Sequence, residues 1–151
     1  AAFAAGCQLV ASCDLAYAST NAKFATPGVN IGLFCSTPMV PLSRAVKNKH
    51  SMEMLLTGDL IKAEKAIEIG LINNIFINKD LTKEVNLIAE LISKKSSLTL
   101  KVGKKAFYEQ SGMKIVEAYK YASEVMIKNM MEAESEEGIL SFIEKRKPNW
   151  D

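Results

Sequence analysis

Apolar and polar positions along the 151-residue chain change rhythm about a quarter of the way in. The first 35 residues are small and apolar with little charge, whereas later segments repeat apolar residues at helical spacing. Residues 2–13, "AFAAGCQLVASC", predict a short buried helix that halts near Asp14. "DLAYAS" predicts a strand, "STNA" a turn, and "KFATPGVNIGLF", with its proline and two glycines, a bent or bulged strand. "CSTP" reads as a helix start with Ser36 or Thr37 as cap and Pro38 in the first turn, ahead of Met39, Leu42, Ala45 and Val46.

Later signals are cleaner. "SMEMLLTG" and "LIKAEKAIEIG" predict helices closed by Gly58 and Gly70, and "LINNIFI" predicts a strand. Leu81, Val85, Ile88, Ala89 and Ile92 predict one helix, and Ile115, Tyr119, Ala122 and Met126 a longer one. The last helix carries Ile139, Phe142 and Ile143, with Lys145, Arg146 and Lys147 in its final turn and Pro148 stopping it. The expected organisation is α/β: a front part over residues 1–78, a soft boundary near residues 77–80, and a helical region over 79–151.

A net charge of +2 makes nucleic acid an unlikely partner, although residues 94–120 hold seven lysines against Glu109 and Glu117. Cys7, Cys13 and Cys35 lack a C-x-x-C pair and read as reduced, buried thiols; no metal site is expected. No apolar run is long enough to span a bilayer, so no membrane span is expected. His50 reads as a surface histidine, and the methionines Met126, Met130 and Met131 as core or subunit interface. "AAFAAG" enters an apolar element without a lead-in, so the chain is not expected to start at its natural beginning. Alone it should expose a large apolar patch.

Candidate chemistry lies in the front. N–H groups in the first turn of a helix point outward with the positive end of the dipole, and Ala4, Ala5 and Gly6 let a ligand oxygen approach them. That is the arrangement of an oxyanion-hole donor. Gln8 lies on the same helix face as Ala4 and Ala5. A glutamate there would suggest an acid or base; an amide only donates and accepts hydrogen bonds.

The string "AAGCQLVASCDLAYASTNAKFATPGVNIGL" resembles the active-site segment of the crotonase superfamily, the enoyl-CoA hydratases and isomerases. "RAV", "MEMLLTGDLIKAEKAIEIGLINNIF" and "EEGILSFIEKRKPNW" extend the likeness over the whole chain. The resemblance implies a β-spiral core, of which residues 1–78 would be the second half, and a C-terminal helical region that builds a homotrimer or hexamer. It implies an acyl-CoA ligand, with coenzyme A as part of the substrate and no separate cofactor, and a mitochondrial setting in fatty acid metabolism. The backbone N–H of Ala5 matches the family's glycine oxyanion donor, and Lys145 its lysine for the coenzyme A phosphates of a neighbouring subunit. The two glutamates that activate water in the hydratases fall at Gln8 and Gly28. Asp14 is the only carboxylate in residues 1–52, so hydration should be impaired. The alternatives are an active hydratase or other acyl-CoA lyase or isomerase using a group from the missing half, and a non-catalytic scaffold or RNA-binding member.

Overall fold

Five short strands and eight α-helices make up the computed structural model, which describes residues 1–150. They fall into two compact units, Ala1–Leu87 and a second that begins at Ile88.

In the first unit, β1 (Ala2–Phe3) leads into α1 (Ala5–Ser12), followed by β2 (Tyr17–Ser19) and β3 (Lys23–Ala25). A 3-10 helix at Pro27–Ile31 precedes α2 (Ser36–Ala45) and α3 (Asn48–Thr57). Then come β4 (Ile61–Lys62), α4 (Ala63–Glu68) and β5 (Asn74–Phe76). One sheet has the order β1-β3-β4, with β1 and β3 parallel and β4 antiparallel to β3. A second pairs β2 with β5 in parallel, Ala18 opposite Ile75.

Parallel neighbours require a crossover; α1 lies in the connection from β1 to β3, and it packs against α2. The core joins Cys7 of α1 to Phe24, Leu42, Met54, Leu55 and Ala66. Each large apolar side chain so buried contributes about 1.5–3 kcal/mol. Gly58 closes α3 with φ +65°, its N–H donating to Met54 O at 3.1 Å; glycine reaches that conformation without a Cβ clash.

Several expectations change. Residues 2–13 are not one buried helix: two of them pair as β1, and only Cys7 of α1 is buried while Leu9 is exposed. The bent strand is β3 followed by the 3-10 helix, because Pro27 has no N–H to continue a ladder. Cys35, not Ser36 or Thr37, stands at the start of α2, and no side chain caps it. Cys13 is exposed; Cys7 and Cys35 are buried.

The second unit takes up the end of α5 (Leu81–Ser93) and holds α6 (Ser97–Gln110), α7 (Ile115–Met130) and α8 (Ala133–Ile143). Helix α6 carries only the narrow half-buried stripe Leu98, Val102 and Ala106, and its Ser96 cap accepts from Thr99 N at 2.9 Å. In α7 the period is as expected but the face is not: Ala118 is buried, while Ile115, Tyr119 and Met126 face out. Helix α8 repeats this, with Ser141 buried and Ile139, Phe142 and Ile143 exposed. Met126, Met130 and Met131 are therefore no part of this chain's core. Lys145, Arg146 and Lys147 lie beyond α8, whose last residue is Ile143. Among the described residues, no helix is long and apolar enough to cross a membrane.

Candidate active site

Parallel pairing of β1 with β3 brings two segments out at one end of the sheet. After Phe3 the chain enters α1; after Ala25, opposite Phe3, it enters Thr26 and the 3-10 helix. Ala4 N–H donates to Ala25 O at 3.0 Å, tying the two exits together. Behind them the buried Thr26 hydroxyl donates to Met54 O at 2.9 Å. Ala5 and Gly28 are thus delivered to the same sheet end by backbone topology.

Ala4 precedes α1 with φ 46° and ψ −113°, a conformation that costs an alanine of order 1–3 kcal/mol. In the sequence Ala4 is only a small residue, and the strain has no signature beyond the Ala-Ala-Gly run. Its effect is to turn the chain sharply from strand to helix. The N–H groups of Ala5, Gly6 and Cys7 have no acceptor within α1, since the first bond back is Gln8 N to Ala4 O at 2.9 Å. The helix start presents donors at the sheet end without needing any particular side chain.

Gln8 lies one turn on, half-buried, and its side-chain amide makes no hydrogen bond among the described residues. Cys7, on the inner face of α1, is fully buried; burial first, and the neighbouring Cys35 second, push its thiol up to about 11. It is a neutral packing group at physiological pH.

Gly28 offers no side chain, and its surroundings are filled. Leu33 N donates to Gly28 O at 2.9 Å, and Gly28 N donates to Cys35 Sγ at 3.3 Å. In sequence Cys35 reads only as a buried cysteine, and nothing there marks its contact with Gly28. Asp14 lies in the bend between α1 and β2.

Lys145 belongs to the second unit. It has φ +54°, is exposed, and makes no ion pair among the described residues. The adjacent Arg146 is fully engaged, bonding Glu137 Oε1 at 2.5 Å and Oε2 at 2.8 Å, and Glu144 Oε2 at 2.5 Å. Of the basic trio, Arg146 fastens the chain end and Lys145 is left as an exposed cation. His50, in the first unit, sits 3.8 Å from Glu53 and lines a cleft of about 160 Å³ with Thr57, Asp59 and Lys65.

The family model described as enoyl-CoA hydratase/isomerase matches residues 1–151. The chain belongs to the enoyl-CoA hydratase/isomerase family. It is 50% identical over 149 residues to the enoyl-CoA hydratase domain-containing protein 3, mitochondrial, of Xenopus laevis, covering 99% of this chain and 51% of that protein. The crystal structure of human enoyl-CoA hydratase domain-containing protein 3 superposes with a TM-score of 0.96 at 47% identity, covering 99% of this chain and 59% of that one. An enoyl-CoA hydratase from Mycobacterium smegmatis gives a TM-score of 0.96 at 46% identity, covering 99% and 58%. The fold is therefore that of the crotonase family. The chain spans about half the length of the curated relatives it matches.

Proposed function

We propose that this chain supplies one half of an acyl-CoA site in a mitochondrial enoyl-CoA hydratase/isomerase family protein of fatty acid metabolism, and that this site has lost the usual means of adding water. The observation that carries the reading is the start of α1. Its unbonded N–H groups stand at the sheet end beside Gln8, whose amide has no partner among the described residues. Ala5 N–H would donate to the thioester carbonyl oxygen as negative charge develops there. One such donor contributes about 2.7–4 kcal/mol to transition-state stabilisation. Gln8 would hold a polar group of the acyl chain or a water without moving its proton. Gly28 adds no acid or base. Each missing acid–base group typically forfeits about 10²–10⁴ in rate, though groups that act together do not multiply.

The mitochondrial setting follows the relatives, which are named as mitochondrial proteins. Lys145, clear of ion pairs, suits a phosphate of coenzyme A. The outward apolar faces of α7 and α8 suit contacts between subunits of a homotrimer or a pair of trimers.

The test is crotonyl-CoA with the full-length protein, following ligand binding and loss of the enoyl absorbance separately. Binding without appreciable hydration is expected. Turnover at the pace of an ordinary hydratase would overturn the reading and require a catalytic group from outside this chain.

A further inference from the structure

Residue 28 is closed to any side chain. A Cβ built on Gly28 would lie 2.5 Å from Leu33 O and 2.9 Å from Cys35 Sγ, closer than real Cβ atoms come. The first of these is backbone and cannot swing aside. Two bonds hold the closure: Leu33 N to Gly28 O at 2.9 Å, and Gly28 N to Cys35 Sγ at 3.3 Å. Gly32, with φ +76°, makes the turn between them. Cys35 is also anchored from the other side, because it precedes α2 and its carbonyl accepts Met39 N at 2.9 Å. Its thiol is buried at 8% exposure, while Ile31 and Leu33 on the same loop face out.

We propose that Cys35 is a positioning residue whose thiol occupies the side-chain space of residue 28 and, with the Leu33 carbonyl, seals the β3 end of the site in a form that admits no acid or base there. This rests on the acyl-CoA reading for its function, but the closure itself is a property of the loop. Its consequence is that a glutamate cannot be restored at position 28 by substitution alone. The backbone of residues 28–35 has to reopen first, and reopening takes away the acceptor of Gly28 N–H and the burial of Cys35. The site is thereby confined to substrates that need their acyl carbonyl polarised and no carboxylate at residue 28.

The closure is read out in the full-length protein by the rate at which iodoacetamide labels Cys35, resolved from Cys7 and Cys13 by peptide mass. Gly28→Ala should raise that rate about tenfold or more, as local opening exposes the thiol. Gln8→Glu/Gly28→Glu should show the same exposure and no more hydration than Gln8→Glu alone. Should the Gly28 variants fail to fold, Cys35→Ser and Cys35→Ala serve instead. Amide exchange at Gly28 should stay near wild type in the serine variant, which keeps an acceptor, and speed up in the alanine variant. Cys35 as protected in Gly28→Ala as in wild type, equal exchange in the two Cys35 variants, or hydration gained by the double variant with Cys35 still protected would each overturn the proposal. Crotonyl-CoA binding by the wild type is scored separately. Its absence would sink the functional reading, while the labelling and exchange results would still decide the closure.

Discussion

Ala4 N–H donates to the carbonyl of Ala25 at 3.0 Å, so the start of α1 and the end of β3 leave the sheet as one fastened pair. The bond brings the start of α1 and the segment that leads to Gly28 out of the sheet side by side, and Ala4 there has φ 46°, where an alanine is strained.

Replacing that alanine should help the fold. Glycine adopts the Ala4 conformation without the Cβ penalty, and the gain exceeds what it loses in unfolded-chain entropy. Ala4→Gly in the full-length protein should be stabilised by about 1 kcal/mol, a rise of roughly 2–4 °C in Tm. Ala4→Val should be destabilised. An unchanged or lower Tm for the glycine variant would contradict the strain at this position.

Thr26 ties the end of β3 to α3. Its hydroxyl is buried at 1% exposure and donates to Met54 O, which also accepts Gly58 N at 3.1 Å. Because that carbonyl keeps one partner, Thr26→Val should cost only about 1 kcal/mol. Chemical denaturation would measure it; a loss well above 3 kcal/mol would mean the hydroxyl does more than this bond.

Acid should weaken one ion pair of the second unit, Glu137 with Arg146. Arg146 beside Glu137, with Asn149 N–H donating to the same carboxylate at 2.7 Å, holds Glu137 down at about 2 against an ordinary 4.5. A depressed carboxylate contributes stability above its unfolded value and loses it as pH falls through the folded one. The contribution of this pair should therefore be complete above pH 4.5 and fade toward pH 2. Trp150 lies beside Gly138 and its indole N–H donates to Lys94 O at 2.9 Å, so in Glu137→Gln the acid-induced change in its fluorescence should lose its component in that window; an unaltered profile would show that the pair does not matter there.

The three thiols should react in a fixed order. Cys13 is exposed, Cys35 is nearly buried, and Cys7 is fully buried with its thiol raised to about 11. Alkylation at neutral pH should label Cys13 quickly, Cys35 slowly and Cys7 only on unfolding. Since the folded state favours the protonated Cys7 thiol, its stabilising contribution is full below about 9 and is lost as pH rises through about 11. Early labelling of Cys7 would mean that α1 opens on its own.

Much of the fold is legible from the chain. The glycine stops at Gly58 and Gly70, the strands at Tyr17–Ser19 and Asn74–Phe76, and the helical period of α5 all leave local marks. What is not legible has physical causes. Strands β1 and β4 are two residues long and carry no alternation to read. Helix α6 buries too narrow a stripe to stand out among its lysines. In α7 and α8 the large apolar side chains are exposed and Ala118 and Ser141 are buried, so hydrophobicity marks each helix but misplaces its buried face. At the site, the residue types at 5, 8 and 28 were readable. The strain at Ala4 and the packing of Cys35 against Gly28 depend on backbone closure and are visible only in three dimensions.

The pairing of β2 with β5 also sets a schedule for synthesis. Tyr17 lies opposite Asn74, 57 positions later. At about 5–20 residues per second, the ribosome makes the first strand wait roughly 3–11 s for its neighbour. A long flat strand left waiting would recruit other nascent chains. This one is three residues, Tyr-Ala-Ser, closed on one side by a turn that returns Ala22 N–H to Ser19 O at 2.9 Å. Brevity there guards the chain during the seconds when its partner does not yet exist.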